Sequence, residues 1–100
     1  MQDEFDFDKY PNVAGHRGVR MIAIELESVF PDGLTGTELA LRLKKNILTI
    51  RPRTTEMKLL GIIMDTEKTK KNDAGKPEII YKLRALEVMD YYGIKKQDKK

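Results

Sequence analysis

Arg51, Thr55 and Lys58 stand at positions i, i+4 and i+7 within ILTIRPRTTEMKLLGII (47–63), a spacing that lines side chains up along one helix face. Two cations around a hydroxyl suit a polyanion. A guanidinium gives guanine O6 and N7 two hydrogen bonds, worth about 1–3 kcal/mol of discrimination, and an ammonium meets phosphate as a point charge. Ile50, Thr54 and Met57 lie away from these three, on the inward side of the same wheel. Arg53 sits nearer the flank, where its partner is a phosphate or an acid such as Glu56. Further on, Lys68, Lys70, Lys71 and Lys76 lie in the polar run EKTKKNDAGKP (67–77). Lysines on such a protrusion supply affinity through the nucleic-acid backbone more than they read sequence.

The proline between the two arginines asks for a helix boundary. Thr49 is the expected N-cap, with Ile50, Arg51 and Pro52 as the first three helical residues. A proline there costs little, because first-turn N–H groups have no intrahelical acceptor. Thr49, Arg51 and Arg53 would then gather at a helix N-terminus, whose dipole and free N–H groups favour phosphate. Gly61 follows Leu60 as the natural left-handed C′ residue.

The charge distribution agrees. Residues 1–8 hold four acids and no base, while residues 40–84 hold twelve Lys/Arg against five acids, a net of +7. A basic body suits a polyanionic partner, since each cation that meets a phosphate releases condensed counterions; its bland counterpart is a solvated surface that keeps the chain soluble. The composition argues against other classes. Without cysteine there are no disulfides or thiolate metal sites. His16, the only histidine, is expected to be a surface or capping residue, and no carboxylate spacing accompanies it to bind metal. Pro31-Asp32 with Glu56-Met57-Lys58 formally matches a nuclease signature, but that chemistry needs its acids on adjacent strands. The chain is therefore expected not to be an enzyme and to need no cofactor. No run of eighteen apolar residues predicts a membrane span. The acidic MQDEFDFDKY lacks the form of a secretory signal, so a cytoplasmic setting is expected.

The elements that position these residues can be read in order. One hundred residues make one small domain. Residues 1–12 read as a flexible acidic leader and 13–84 as the folded domain. Apolar positions 19, 22, 26, 29 and 30 predict a first helix that stops before Pro31, and Pro31-Asp32-Gly33 predicts a turn. Thr35 and Glu38 form a capping box for a second helix. Lys44-Lys45-Asn46 ends that helix, with Asn46 in the left-handed conformation. IIMDT (62–66) and EIIYKLR (78–84) are short β-like runs, and the polar stretch between them is long enough for a protruding hairpin. Residues 85–93 predict a short helix with Leu86, Met89 and Tyr91 or Tyr92 inward, and 94–100 a frayed basic tail. The expected fold is mainly α with a small β-hairpin: a winged helix-turn-helix, three helices plus a wing, with an extra C-terminal helix.

The stretch GLTGTEL…LTIRPRTTEMKLLGIIMDT…NDAGKPEIIYKL resembles the small winged-helix proteins encoded by bacteriophages and prophages. Their pattern runs roughly Gly-Leu-Thr-x-x-Glu-Leu, Ser-x-Arg-Pro-Arg-x-x-Glu-Leu, Gly-Leu-Ile, then Ser-Gly-Lys/Arg. The likeness covers about residues 33–83, with a weaker echo at NVAGHRG. Met57 stands where leucine is usual, and Lys44-Lys45-Asn46 where that turn often holds glycine. The resemblance implies the winged-helix fold and double-stranded DNA as partner, with the second helix of the pair in the major groove.

Three rival or additional readings stand beside it. Winged helices also dock proteins. The leader, with Phe5, Phe7 and Tyr10 among its acids, would bind a basic protein partner or fold over the chain's own basic face. The apolar residues of 85–93 would pair two subunits.

Overall fold

The structure, a computed structural model, describes residues 17–91 and 94. The leader, His16, Tyr92 and the tail after Ile94 lie outside the described residues. Helix α1 (Arg17–Val29) buries Val19, Ile22, Ala23 and Leu26 at helical spacing. It ends ahead of the cis Phe30-Pro31 peptide. Helix α2 (Gly36–Leu43) opens with the expected capping box. The Thr35 hydroxyl accepts from the Glu38 N–H at 3.1 Å, and a Glu38 carboxylate oxygen accepts from the Thr35 N–H at 2.9 Å.

The turn into helix α3 (Ile47–Leu60) corrects two expectations. Lys44, not Asn46, adopts the left-handed conformation at φ 57°. Asn46 is extended and caps α3, its side-chain oxygen accepting from the Leu48 N–H at 2.7 Å. Asparagine is among the best N-caps. Ile47 packs against the core, so the helix begins three residues earlier than the Thr49 cap implied. Thr49 is an ordinary first-turn residue whose hydroxyl donates to the Asn46 carbonyl at 2.7 Å. Pro52 therefore lies inside the helix. It cannot give the Leu48 carbonyl an N–H, a defect that costs about 3 kcal/mol in a helix interior. It is not a helix starter. Gly61 closes α3 as expected, at φ 79° with its N–H toward the Met57 and Lys58 carbonyls.

Strands β1 (Ile63–Lys71) and β2 (Pro77–Leu83) form an antiparallel hairpin, with Ile63 opposite Leu83 at its base and Lys71 opposite Pro77 at its tip. The protruding hairpin expected of residues 67–77 is present, with β1 running out to Lys71 and β2 returning from Pro77. Only Asn72 to Lys76 turn, held by Asn72 Oδ1 accepting from the Ala74 and Lys76 N–H groups, with Gly75 at φ 79°. A bulge between Asp65 and Thr69 places Glu67 at φ 66° and shifts the register. On the other edge of β2, Leu34 and Tyr81 exchange backbone hydrogen bonds of 2.8 and 2.9 Å. The contact is so close that a Cβ on Gly33 would lie 2.0 Å from the Tyr81 carbonyl oxygen. Only glycine fits there.

Helix α4 (Glu87–Tyr91) starts two residues later than expected and is differently oriented. Met89 is buried and Val88 packs on the core, whereas Leu86 is 47% and Tyr91 72% exposed. Ile94, expected to open the tail, is buried and gives its N–H to the Met89 carbonyl. The core lies between the helices and the hairpin base, where Ile22, Leu26, Leu39, Met57, Ile62, Ile63 and Leu83 are fully buried. The chain is thus a mixed α/β arrangement of three helices, an antiparallel hairpin and a short helix, a layout consistent with a winged helix.

Candidate nucleic-acid interface

Helix α3 buries Ile50, Thr54, Met57 and Leu60, which turns Arg51, Thr55 and Lys58 to solvent. These three line the flank facing the hairpin. Arg51 borders a cleft of about 230 Å³ between α3 and β2, with Thr54, Ile79 and Tyr81 among its walls. The Lys58 ammonium lies 5.9 Å from the centre of the Tyr81 ring, within cation–π range. The Thr54 and Thr55 hydroxyls both donate to the Arg51 carbonyl, at 3.0 and 3.1 Å. Thr55 thus offers the surface an acceptor oxygen, whereas Arg51 and Lys58 offer donors.

The hairpin lysines divide. Side chains alternate across a strand, and the register sets Thr69 opposite Ile79, so Lys71 shares the sheet face of Ile79, a wall of the cleft. Lys70 points the other way and is ion-paired with Glu38. Lys68 lies in the bulge and Lys76 in the turn, both exposed. Acids are interspersed here, Glu67 at the bulge and Asp73 in the turn, which lowers the net charge of the hairpin's outer half.

Two carboxylates fasten this hairpin to α2. Burial pushes Glu38 up, but the Lys70 ammonium, the Thr35 N–H and the charges of Lys70 and Arg42 outweigh it and hold the carboxyl below its ordinary range. Glu78 accepts from the Thr37 hydroxyl at 2.6 Å, the Asn72 amide at 2.7 Å and the Thr37 N–H at 3.1 Å. The Thr37 hydroxyl bond leads, burial opposes it, and Glu78 too is held low. The hairpin is thereby fixed relative to the α2–α3 pair.

Thr49 and Arg53 are not brought to the Arg51 side. Arg53 pairs with Glu56 at 3.4 Å, the acid anticipated for it, and both Thr49 and Arg53 border a separate cavity toward α1. Because Glu56 is helical and engaged with Arg53, the nuclease-like spacing does not build paired strand carboxylates. Among the described residues no three His, Asp or Glu side chains cluster to hold a metal ion.

Sequence reasoning missed Tyr81, whose place under Lys58 follows from strand pairing. It also missed the outermost line of α3, where Leu48 is 68% and Leu59 73% exposed on either side of Pro52. The i, i+4, i+11 spacing of these residues was the available signal. No protein-family model, curated protein or solved structure matches this chain. Among the described residues no helix is long and apolar enough to cross a membrane.

Proposed function

We propose that the chain binds double-stranded DNA as a winged helix-turn-helix regulatory protein of phage type, acting in the bacterial cytoplasm and not as an enzyme. Helix α3 enters the major groove, and the hairpin, as the wing, lies along the backbone. The observation that carries this reading is the convergence of Arg51, Thr55 and Lys58 on the α3 flank that faces the lysine-bearing hairpin. Arg51 is the base reader, Lys58 and Lys71 meet phosphates beside the cleft, and Lys68 and Lys76 add backbone contacts further out. The resemblance of residues 33–83 to phage and prophage winged helices supports the same reading. A second reading, protein docking through α3, is favoured by the exposed Leu48, Pro52 and Leu59. In a DNA complex these apolar groups would meet thymine methyls. Exposed Leu86 and Tyr91 support residues 85–93 as the proposed contact for pairing two subunits.

Selection from a random duplex pool separates the readings. Enrichment of a site is expected, with Arg51→Ala lowering affinity for that site by about 1–3 kcal/mol while changing random-sequence binding less. A pool that enriches nothing transfers the weight to protein docking.

A further inference from the structure

The cavity on the far side of α3 shares only Pro52 with the proposed DNA-binding surface. It measures about 490 Å³, within the range of ligand-sized pockets. Its walls are apolar: Met21 and Ile22 from α1, Leu43 from the end of α2, Ile50 and Pro52 from α3. Its rim is cationic, carrying Arg17, Lys45 and Arg53. An apolar recess bordered by Arg17, Lys45 and Arg53, the last already paired with Glu56, suits an aromatic side chain flanked by carboxylates.

The chain itself contains such a segment, a few residues before the cavity rim in sequence. Residues 3–10 read DEFDFDKY, with Phe5, Phe7 and Tyr10 interleaved with Asp3, Glu4, Asp6 and Asp8. They are joined through residues 11–16 to Arg17, which lies on the cavity rim. Phe7 is ten residues back along the chain, a tether of at most roughly 36 Å, so the segment can fold back onto a recess at its own attachment point. A short tether also supplies a local concentration on the order of millimolar. A contact with a dissociation constant of that size would already be half occupied.

We propose that residues 3–10 seat in this cavity in cis, with an aromatic ring against Met21, Leu43, Ile50 and Pro52 and the carboxylates against Arg17, Lys45 and Arg53. The docking does not depend on what α3 binds. It does cover Pro52 and Thr49, and so flanks one edge of the recognition surface.

The absence of cysteine allows one nitroxide label at Gln2→Cys in the full chain, with methyl resonances of Met21, Ile22 and Ile50 as reporters. The expected result is broadening of these methyls, lost when Phe5, Phe7 and Tyr10 are all replaced by alanine and weakened by Lys45→Glu. The aromatic substitutions lie outside α1–α4, so folding of the domain does not confound them. Broadening that survives in the triple variant reports the tether alone and overturns the proposal. So does broadening that passes from spin-labelled chains to unlabelled ones in a mixed sample, which assigns the segment to a second copy.

Discussion

Replacing Glu78 by alanine should loosen the hairpin from α2 and cost about 3–4 kcal/mol. Its carboxylate accepts three hydrogen bonds, from the Thr37 hydroxyl at 2.6 Å, the Asn72 amide at 2.7 Å and the Thr37 N–H at 3.1 Å. Bonds to a charged group contribute roughly 1.5–3 kcal/mol each when buried and about 1 kcal/mol when water reaches them. Glu78 is half-buried, so the lower figure applies to all three. The carboxylate also faces the first turn of α2, where the helix dipole adds about 0.3–1 kcal/mol. For a domain of this size, each kcal/mol moves Tm by about 4–8 °C. Urea unfolding at neutral pH should therefore show a lower midpoint with an unchanged slope. A double-mutant cycle with Thr37→Val isolates the shortest bond and should give a coupling of about 1 kcal/mol. A Glu78→Ala loss below about 0.5 kcal/mol, or a coupling near zero, would refute the reasoning.

Acid should loosen the same latch. Glu38 and Glu78 both titrate below their ordinary value of 4.5 in the folded protein. Their stabilisation is complete above that value and is lost as pH falls through the folded values, because the unfolded chain takes up protons first. Urea midpoints followed downward from neutral pH should decline below it, and Glu38→Gln with Glu78→Gln should flatten the decline; an identical fall in the double variant contradicts this. Pro52→Ala should raise stability by about 1–3 kcal/mol by restoring an interior helical hydrogen bond. A destabilised Pro52→Ala variant would mean that the proline fits its site better than the backbone defect implies.

What was legible in the sequence was what local chemistry decides. The capping box of Thr35 and Glu38, the left-handed Gly61 and the inward Ile50, Thr54 and Met57 each follow from spacing over a few residues, and each is present. The start of α3 was misread because two local rules competed. Proline prefers a first turn, but Asn46 is the better cap, and Ile47 gains packing on the core that no local pattern displays. The length of β1 was hidden for another reason. Its outer half is exposed on both faces, so it carries no apolar alternation. At the candidate site the solvent-facing Arg51, Thr55 and Lys58 of α3 were readable from the wheel. The pairing of Lys70 with Glu38, thirty-two residues away, was not. Nor was the placement of Tyr81 under Lys58, because both depend on how the hairpin docks.

The salt dependence of duplex binding tests the central claim most directly. Each phosphate contact adds about −0.9 to the slope of log affinity against log salt. The wild-type chain should give a steep negative slope. Lys58→Ala on α3 and Lys71→Ala on the hairpin should each flatten it by about 0.9. A flat wild-type response, or slopes that both substitutions leave unchanged, would contradict a duplex seated between α3 and the hairpin.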